Sequence, residues 1–304
     1  MMLIDTHSHF GIVPTQVAYE TQLRHAQDQG VGCGIITTGS VHDFEVAKRV
    51  AHQYGWGYAV GIHPLFVLQA SDKDLSVLKQ FLEKNHQDPH LVAIGEIGLD
   101  RFEGAPDIEK QKFFFKSQLE LAAQYVLPVS VHSRRSLFLV DQYLRNYPKL
   151  QVALHAFSGS IEEAKTLSAR GYKMGFGGAM TYSGSKRVRA AAQFLPASTL
   201  LLETDCPDMP PAFDAKGQSE PSYLKAYLHC LAQLRNTDPE ILAEQIFTNT
   251  IETFPKLQLI LKWYIGYWLF RTENFRYNQC LKPSRDFPEK IIQTQKSMTI
   301  VKTA

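Results

Sequence analysis

The sequence is poor in the residues that build several common sites and anchors. Its four cysteines, Cys33, Cys206, Cys230 and Cys280, include no C-x-x-C pair. This argues against a disulfide framework and against a thiolate zinc site. The chain does not open with a charged segment followed by an apolar one, so no secretion signal is expected. We therefore expect a protein of a reducing compartment, the cytoplasm.

Long hydrophobic runs are also missing. The most apolar stretch, residues 257–270, contains Lys262 and is too short to span a bilayer comfortably, so no transmembrane segment is predicted. Three interpretations of this stretch stay open: a helix on a membrane surface, aided by nearby basic residues, a helix packed on the outside of the main domain, or an appendage without function. We favour packing for 257–270 and disorder for most of 275–304.

Most of the chain has no excess of positively charged residues. Residues 1–254 hold 23 Lys and Arg against 27 Asp and Glu, whereas residues 255–304 hold 9 against 3. The net charge of +2 for the whole chain therefore comes from the C-terminal piece. It gives no evidence that the main body presents a basic surface for nucleic acid.

Eight short apolar runs recur along the chain, separated by stretches with helical spacing. They cover residues 1–7, 31–39, 57–64, 91–100, 127–133, 151–159, 172–178 and 200–207. The runs are nearly continuous rather than alternating, which is typical of parallel strands covered on both faces. Eight strand–helix alternations predict an α/β protein, a closed (β/α)8 barrel of the TIM type. An open doubly wound sheet is the alternative, although no G-x-G-x-x-G follows the first run.

Helix boundaries carry signals of their own. One helical stretch ends on Gly30, a natural C-cap, and another starts on Ser160 as N-cap and ends on Gly171. Residues 107–125 open with acidic side chains, which a helix N-terminus favours.

Polar residues stand at the ends of the predicted strands, where the chemistry of a barrel gathers. In LIDTHSHF, residues 3–10, His7 and His9 are two apart and therefore point to the same side of a strand. Other strand ends supply His63, Glu96, His132, His155, Glu203 and Asp205. A carboxylate inside an apolar run is costly to bury unless it is paired or bound to metal. The six remaining histidines fall in predicted helices or loops, and we expect them at the surface.

This set of side chains also indicates how many ions are bound. One zinc ion needs three or four protein ligands, and here four imidazoles and two carboxylates are expected to converge. A carboxylate that bridges two ions is the economical arrangement. The mixture of oxygen and imidazole ligands suits two divalent metal ions, Mg²⁺, Mn²⁺ or Zn²⁺, without choosing among them.

Seven segments in residues 1–254 resemble, in order and spacing, the signature blocks of the TatD family of metal-dependent deoxyribonucleases. They read IDTHSHF, GIHP, GEIGLD, VHSR, LHAFSGS, LLETDCPDMPP and NTIETF, and two of them are most similar to the YjjV-like branch. The resemblance implies a TIM-type barrel hydrolase domain over residues 1–254, followed by a C-terminal extension over 255–304. It also implies a dinuclear metal site and hydrolysis of phosphodiester bonds in DNA.

The resemblance implies roles for single residues. His7, His9 and Asp205 would hold the first ion, Glu96 would bridge both, and His132 and His155 would complete the second. Asp205 would either take the proton from the attacking water or act as a ligand only.

Further side chains are expected near the substrate. The resemblance places His63 against the substrate phosphate. Arg134 follows the fifth strand and is a candidate partner for a non-bridging phosphate oxygen, whereas Arg135 is expected to face solvent. Arg101 and the pair Lys186/Arg187 either meet a DNA backbone or are simply solvated.

Two other functions stay open. An amidohydrolase-type enzyme, acting on C–N or C–O bonds of a small substrate, also opens with H-x-H. Many such sites carry a modifiable lysine on the fourth strand, where this chain has Glu96. The other is a metal-stabilised scaffold without turnover, whose coordination shell would be closed.

Overall fold

The computed structural model describes residues 2–261, and these residues form a barrel of eight parallel strands. The strands are β1 (Leu3–Ser8), β2 (Val31–Thr37), β3 (Gly57–Val60), β4 (Leu91–Asp100), β5 (Val129–Arg134), β6 (Val152–Leu154), β7 (Lys173–Phe176) and β8 (Leu200–Leu202). Each strand pairs with the next along the chain. Sequential order in one sheet confirms the predicted (β/α)8 barrel and excludes the doubly wound alternative.

Ten α-helices lie in the described part of the chain. They are α1 (Tyr19–Asp28), α2 (Phe44–Tyr54), α3 (Asp72–Asn85), α4 (Ile108–Tyr125), α5 (Leu137–Leu144), α6 (Ile161–Ala169), α7 (Lys186–Phe194), α8 (Leu224–Arg235), α9 (Pro239–Thr253) and α10 (Leu257–Ile260). Ser160 caps α6 by accepting a hydrogen bond from the Glu163 amide, and Gly171 follows that helix with a φ of 85°. The Asp107 carboxylate caps α4. These boundaries are as predicted.

Several strands are shorter than the apolar runs that predicted them. β3, β6 and β8 have four, three and three residues, so His63, His155 and Asp205 lie just beyond the strands. The backbone leaves the extended conformation there: a 3₁₀ turn starts at Pro64, and the φ angles of Ala156 and Asp205 are 44° and 56°. Apolar periodicity therefore does not mark where these strands end.

The seam between the last strand and the first is joined largely by side chains. The Asp5 carboxylate accepts hydrogen bonds from the amide and the hydroxyl of Thr204, at 2.9 and 2.5 Å. The Thr6 hydroxyl donates to the Leu202 carbonyl at 3.0 Å. One residue further on, the Asp205 amide donates to the His7 carbonyl at 2.9 Å. Together these bonds place the residues after β8 directly beside the end of β1.

Helix α9 lies under the same seam, because it contacts both β1 and β8. The side chain of Asn249 donates to the carbonyls of Ala197 and Leu200, at 2.7 and 2.8 Å. Asn249 is the first residue of the NTIETF segment, residues 249–254. This segment therefore has a structural role, since it holds the start of β8.

The first residues past the predicted domain boundary are attached to the barrel. Pro255 follows the end of α9, and Leu257 is fully buried. The Lys256 ammonium donates to the carbonyls of His86 and Asp88. Packing is thus observed at the start of the 257–270 segment. The predictions for residues 262–270 and 275–304 lie outside the described residues, and the division at residue 254 stays a prediction.

The helices of residues 2–261 are too short or too polar to cross a membrane. Within that range none has the length and apolar character required.

We expect that Thr204→Val weakens the seam. It removes a hydroxyl that donates to the buried Asp5 carboxylate, and leaving a buried acceptor unpaired costs about 1–3 kcal/mol. The free energy of unfolding, measured by urea denaturation in EDTA, should fall by this amount. In the matched control Thr166→Val, an exposed helix hydroxyl is removed, and stability should change by less than about 0.5 kcal/mol. Equal effects of the two substitutions would contradict the assigned role.

Candidate metal centre

The strand ends bring the predicted site residues together at one mouth of the barrel. Glu96 lies inside β4, His132 inside β5 and His7 inside β1, and the others lie just after their strands. Nearly all of these side chains are buried: Glu96 is 3 % exposed, His7 0 % and His155 5 %. The six predicted ligands, His7, His9, Glu96, His132, His155 and Asp205, form one cluster of contacts, and His63 joins them.

Glu96 stands at the centre of the cluster. Its Oε1 atom lies 2.7 Å from His155 Nε2, 3.0 Å from His132 Nδ1 and 3.0 Å from His63 Nε2. Its Oε2 atom faces the other way, 3.4 Å from His7 Nε2 and 3.5 Å from His9 Nε2. The two oxygens of one carboxylate thus serve two different sets of imidazoles.

Asp205 completes the set around the second oxygen of Glu96. Its Oδ1 atom lies 3.6 Å from His7 Nε2 and 3.5 Å from His9 Nε2. The two imidazole rings meet edge to face, with centroids 5.3 Å apart. As the H-x-H spacing predicts, both rings turn their Nε2 atoms towards one point.

The remote nitrogens of these rings are held by hydrogen bonds. Asp100 Oδ2 lies 2.9 Å from His132 Nε2, so that ring presents Nδ1 to Glu96. Ser130 Oγ lies 2.8 Å from His7 Nδ1, and the Thr37 carbonyl accepts from His9 Nδ1 at 3.0 Å. Such partners fix the orientation of metal-binding histidines in proteins.

Three of these partners, Asp100, Ser130 and Thr37, were not predicted from the sequence. Asp100 and Thr37 are the last residues of β4 and β2, and Ser130 lies within β5. All three are buried. The only signal for them is a polar residue in or at the end of an apolar run, as in GEIGLD and GIIT.

His63 differs from the other imidazoles in its hydrogen bonds. Its Nδ1 atom accepts a hydrogen bond from the Leu65 amide at 3.1 Å, so the neutral ring carries its proton on Nε2. Burial lowers the pKa of His63, which keeps the ring neutral. Its Nε2–H therefore points as a donor towards Glu96, whereas a metal ligand would present a lone pair there.

Glu203 lies behind the cluster. Its Oε1 atom accepts a hydrogen bond from the Ala156 amide at 2.5 Å and lies 3.9 Å from His155 Nδ1. Burial raises the pKa of Glu203 to about 8. The sequence placed this residue at a strand end, and the structure places it beside His155, on the side of the ring that faces away from Glu96.

The protonation of the imidazoles matches the carboxylates around them. Burial alone would lower the pKa of His9 and His155, but the nearby carboxylates raise these values to about 9 and about 10. For His132 burial is outweighed by the hydrogen bond to Asp100, and its pKa is also raised. Burial and the charge of His155 lower the pKa of His7 to about 4. Without metal, the imidazolium groups of His9 and His155 thus offset negative charge on the carboxylates around them.

The donor set fits divalent metal ions. Three groups of three ligand atoms can be drawn from this cluster. Within each group, the atoms lie close enough to one another to hold an ion. Two ligands of one ion, each about 2.0–2.2 Å from it, are at most about 4.4 Å apart. The distances of 2.7–3.6 Å from Glu96 and Asp205 to the imidazoles meet that limit.

Arg134 does not join the cluster. Its side chain is exposed, and its guanidinium stacks 3.6 Å above the centre of the Phe102 ring. Contact of Arg134 with a substrate phosphate therefore stays a prediction. Arg135 is exposed, as expected, but it also lines a cavity next to His155.

A barrel with imidazoles and carboxylates gathered at the C-terminal ends of its strands is the architecture of metal-dependent hydrolases. Comparisons with known proteins agree. Residues 4–255 match the family model described as TatD related DNase. The chain is 36% identical over 254 residues to the uncharacterized metal-dependent hydrolase YjjV of Escherichia coli K12, covering 83% of this chain and 97% of that protein.

Two further matches have a similar extent. The crystal structure of the E. coli K12 protein YjjV, a TatD homologue, superposes with a TM-score of 0.79 and 34% identity, covering 83% of this chain and 98% of that one. A protein of Erwinia billingiae named 3′-5′ ssDNA/RNA exonuclease TatD is 32% identical over 245 residues, 76% of this chain and 91% of that protein. The chain belongs to the TatD family, and it is a metal-dependent hydrolase.

We expect that Asp100→Asn weakens metal binding by about 10–100-fold, because it removes the charge that orients and polarises His132. Calorimetric titration with Mn²⁺ measures this change. The control is Glu103→Gln, an exposed carboxylate three residues away, which should leave the affinity unchanged. Unaltered Mn²⁺ affinity in Asp100→Asn would show that this hydrogen bond does not support the site.

Metal binding near neutral pH should release protons. The pKa values of His9 and His155, about 9 and about 10, keep both rings protonated in the metal-free protein. A metal ion must displace these protons, so its apparent affinity should rise between about pH 6 and about pH 8. Titrations with Mn²⁺ in two buffers of different ionisation enthalpy measure the release. Identical heats in both buffers would contradict the assigned protonation.

Proposed function

We propose that this protein hydrolyses phosphodiester bonds of single-stranded nucleic acid, DNA in the first place, with two divalent metal ions. The observation that carries the proposal is the position of the Glu96 carboxylate, whose two oxygens face two separate sets of imidazoles. The name of the Erwinia relative, a 3′-5′ ssDNA/RNA exonuclease, supports the choice of substrate.

The ligand assignment follows from the same distances. His7, His9 and Asp205 surround the Oε2 side of Glu96 and would hold one ion. His132 and His155 lie on the Oε1 side and would hold the other, with Glu96 between them. The ion on the Oε1 side would have fewer protein ligands, which leaves room for substrate or water as a catalytic site requires.

Bound metal ions lower the pKa of water and offset the charge of the phosphate. The chain itself supplies a proton acceptor. Although burial opposes it, the hydrogen bond from His9 holds the pKa of Asp205 below its ordinary value, so this carboxylate is ionised at neutral pH. We propose that the Asp205 carboxylate accepts a proton from the attacking water, in addition to serving as a metal ligand.

We propose that the His63 ring contacts the substrate. Its Nε2–H is the one imidazole donor of the described cluster whose opposite nitrogen is occupied by a backbone amide. In a complex this N–H would donate to a phosphate oxygen and hold it against the metal centre.

The two alternatives are less well supported. An amidohydrolase acting on C–N or C–O bonds shares the barrel and the H-x-H motif, but many such sites carry a modifiable lysine on the fourth strand, where this chain has Glu96. A scaffold would close its coordination shell, whereas His9 and His132 are part-exposed at the mouth.

Cys33, Cys206 and Cys230 are free, which supports the proposed cytoplasmic location.

The experiment compares the full chain with its Glu96→Gln variant. With added Mg²⁺, Mn²⁺ or Zn²⁺, the wild type should degrade single-stranded DNA and contain about two ions per chain by elemental analysis. The variant should lose at least about 100-fold in rate and part of its metal, because the bridge is broken. Circular dichroism checks that it folds.

The matched control is Glu83→Gln, an exposed carboxylate on α3, which should keep full activity. DNA hydrolysis by Glu96→Gln at the wild-type rate would contradict the proposal. Cleavage of amides or lactones but of no phosphodiester would favour the amidohydrolase, and no turnover of any of these would favour the scaffold.

A further inference from the structure

A cavity of about 480 Å³ opens beside His155. Its walls come from the ends of β5 and β6, from the residues that follow β4, β5 and β6, and from the start of α7. His155 lines this cavity and also lies 2.7 Å from Glu96 in the metal centre, so the cavity adjoins that centre.

Three arginines surround this cavity: Arg101, Arg135 and Arg187. Within residues 2–261, the arginine ion pairs are those of Arg145 and Arg170, so none of the three is neutralised by a carboxylate. The one carboxylate of the wall, Glu163, accepts a hydrogen bond from the Ser160 amide at 2.7 Å. Three guanidinium groups against one carboxylate leave the cavity with a net positive charge.

Two of the guanidinium groups are held in place by their neighbours. Arg187 donates to the Ser158 carbonyl at 3.0 Å. The Arg135 guanidinium lies 4.7 Å from the centre of the Phe102 ring, and the backbone of Arg135 has a φ of 55°, outside the extended conformation of β5. Guanidinium groups fixed in this way lose little entropy when they bind phosphate.

The inner wall of the cavity is apolar. Leu137, Leu154 and Phe157 form it, and the volume is within the range of pockets for small organic ligands. An inorganic anion would leave that wall uncovered. A ligand with a flat apolar part and an anionic part, such as a nucleotide, matches both the wall and the arginines.

We propose that this cavity is a subsite for the nucleotide next to the scissile bond. Its base and sugar lie on the apolar wall, and the phosphate beyond the scissile one binds Arg135 and Arg187. The inference rests on the proposed function and narrows it: the enzyme selects substrates that have at least two successive phosphates.

The test compares two substrates. Pentathymidylate has several phosphates, whereas bis(p-nitrophenyl) phosphate has a single diester and no nucleotide. The variant Arg135→Gln/Arg187→Gln removes two charges and keeps chain length. Its KM for pentathymidylate should rise at least about tenfold, since each hydrogen bond to a charged group contributes appreciably to binding. Its kcat/KM for the simple ester should stay within about twofold of wild type.

The matched control is Arg49→Gln, an exposed arginine on α2, which should change neither constant. A second measurement does not need turnover: fluorescence anisotropy of fluorescein-labelled trithymidylate in EDTA. The double variant should bind this probe at least about tenfold more weakly than wild type and than Arg49→Gln.

The outcomes separate the two proposals. If wild type cleaves neither substrate with any metal, the proposed function fails, and the binding measurement alone decides the subsite. Equal probe binding by wild type and the double variant overturns the subsite, as does absence of probe binding by wild type. A parallel loss of activity on both substrates also overturns it, because the arginines would then support the metal centre itself.

Discussion

The site depends on one carboxylate that is buried among imidazoles. Glu96 would be costly to place in the core of a barrel if it stood alone. Burial opposes ionisation, but His63, His155 and His132, which lie within 3.0 Å of its Oε1 atom, hold the pKa of Glu96 well below its ordinary value. The contacts of the carboxylate divide its two oxygens between two sets of ligands. The charge balance of the site and its geometry for metal follow from this arrangement.

The seam of the barrel supports that arrangement from outside. His7 and His9 come from the first strand and its end, and Asp205 follows the last strand. The hydrogen bonds of Asp5, Thr6 and the His7 carbonyl join these two segments and so help to bring the three ligands together. Polar bonds at a strand junction thus have a chemical consequence, since they set the distance between ligands that are far apart in sequence.

Much of the site was predictable from the sequence, because strand ends of a parallel barrel converge. Polar residues that end apolar runs identified the predicted ligands, and the i, i+2 spacing of His7 and His9 indicated their common direction. The resemblance to the TatD family then assigned roles. The fold was predictable for the same reason, since eight apolar runs alternate with helical stretches.

The remaining features depend on contacts between strands, which no single run encodes. Asp100 reaches His132 because β4 and β5 pair with Asp100 opposite Arg134 and Gly98 opposite His132. The role of His63 as a donor depends on the Leu65 amide, and the position of Arg135 depends on a positive φ. Strand ends such as those of β3 and β6 were overestimated because buried turns are as apolar as the strands before them.

The position of the ligands along the chain has a consequence for biosynthesis. Glu96 and His132 come from two successive strands and His155 directly follows the next one, so a nascent polypeptide that has emerged just past the end of β6 already contains one set of donors. The other set needs Asp205, about two hundred residues after the start, and is finished only when translation has passed β8. The two sets of donors are therefore completed in a fixed order on the ribosome, and no truncated product that stops before β8 contains both.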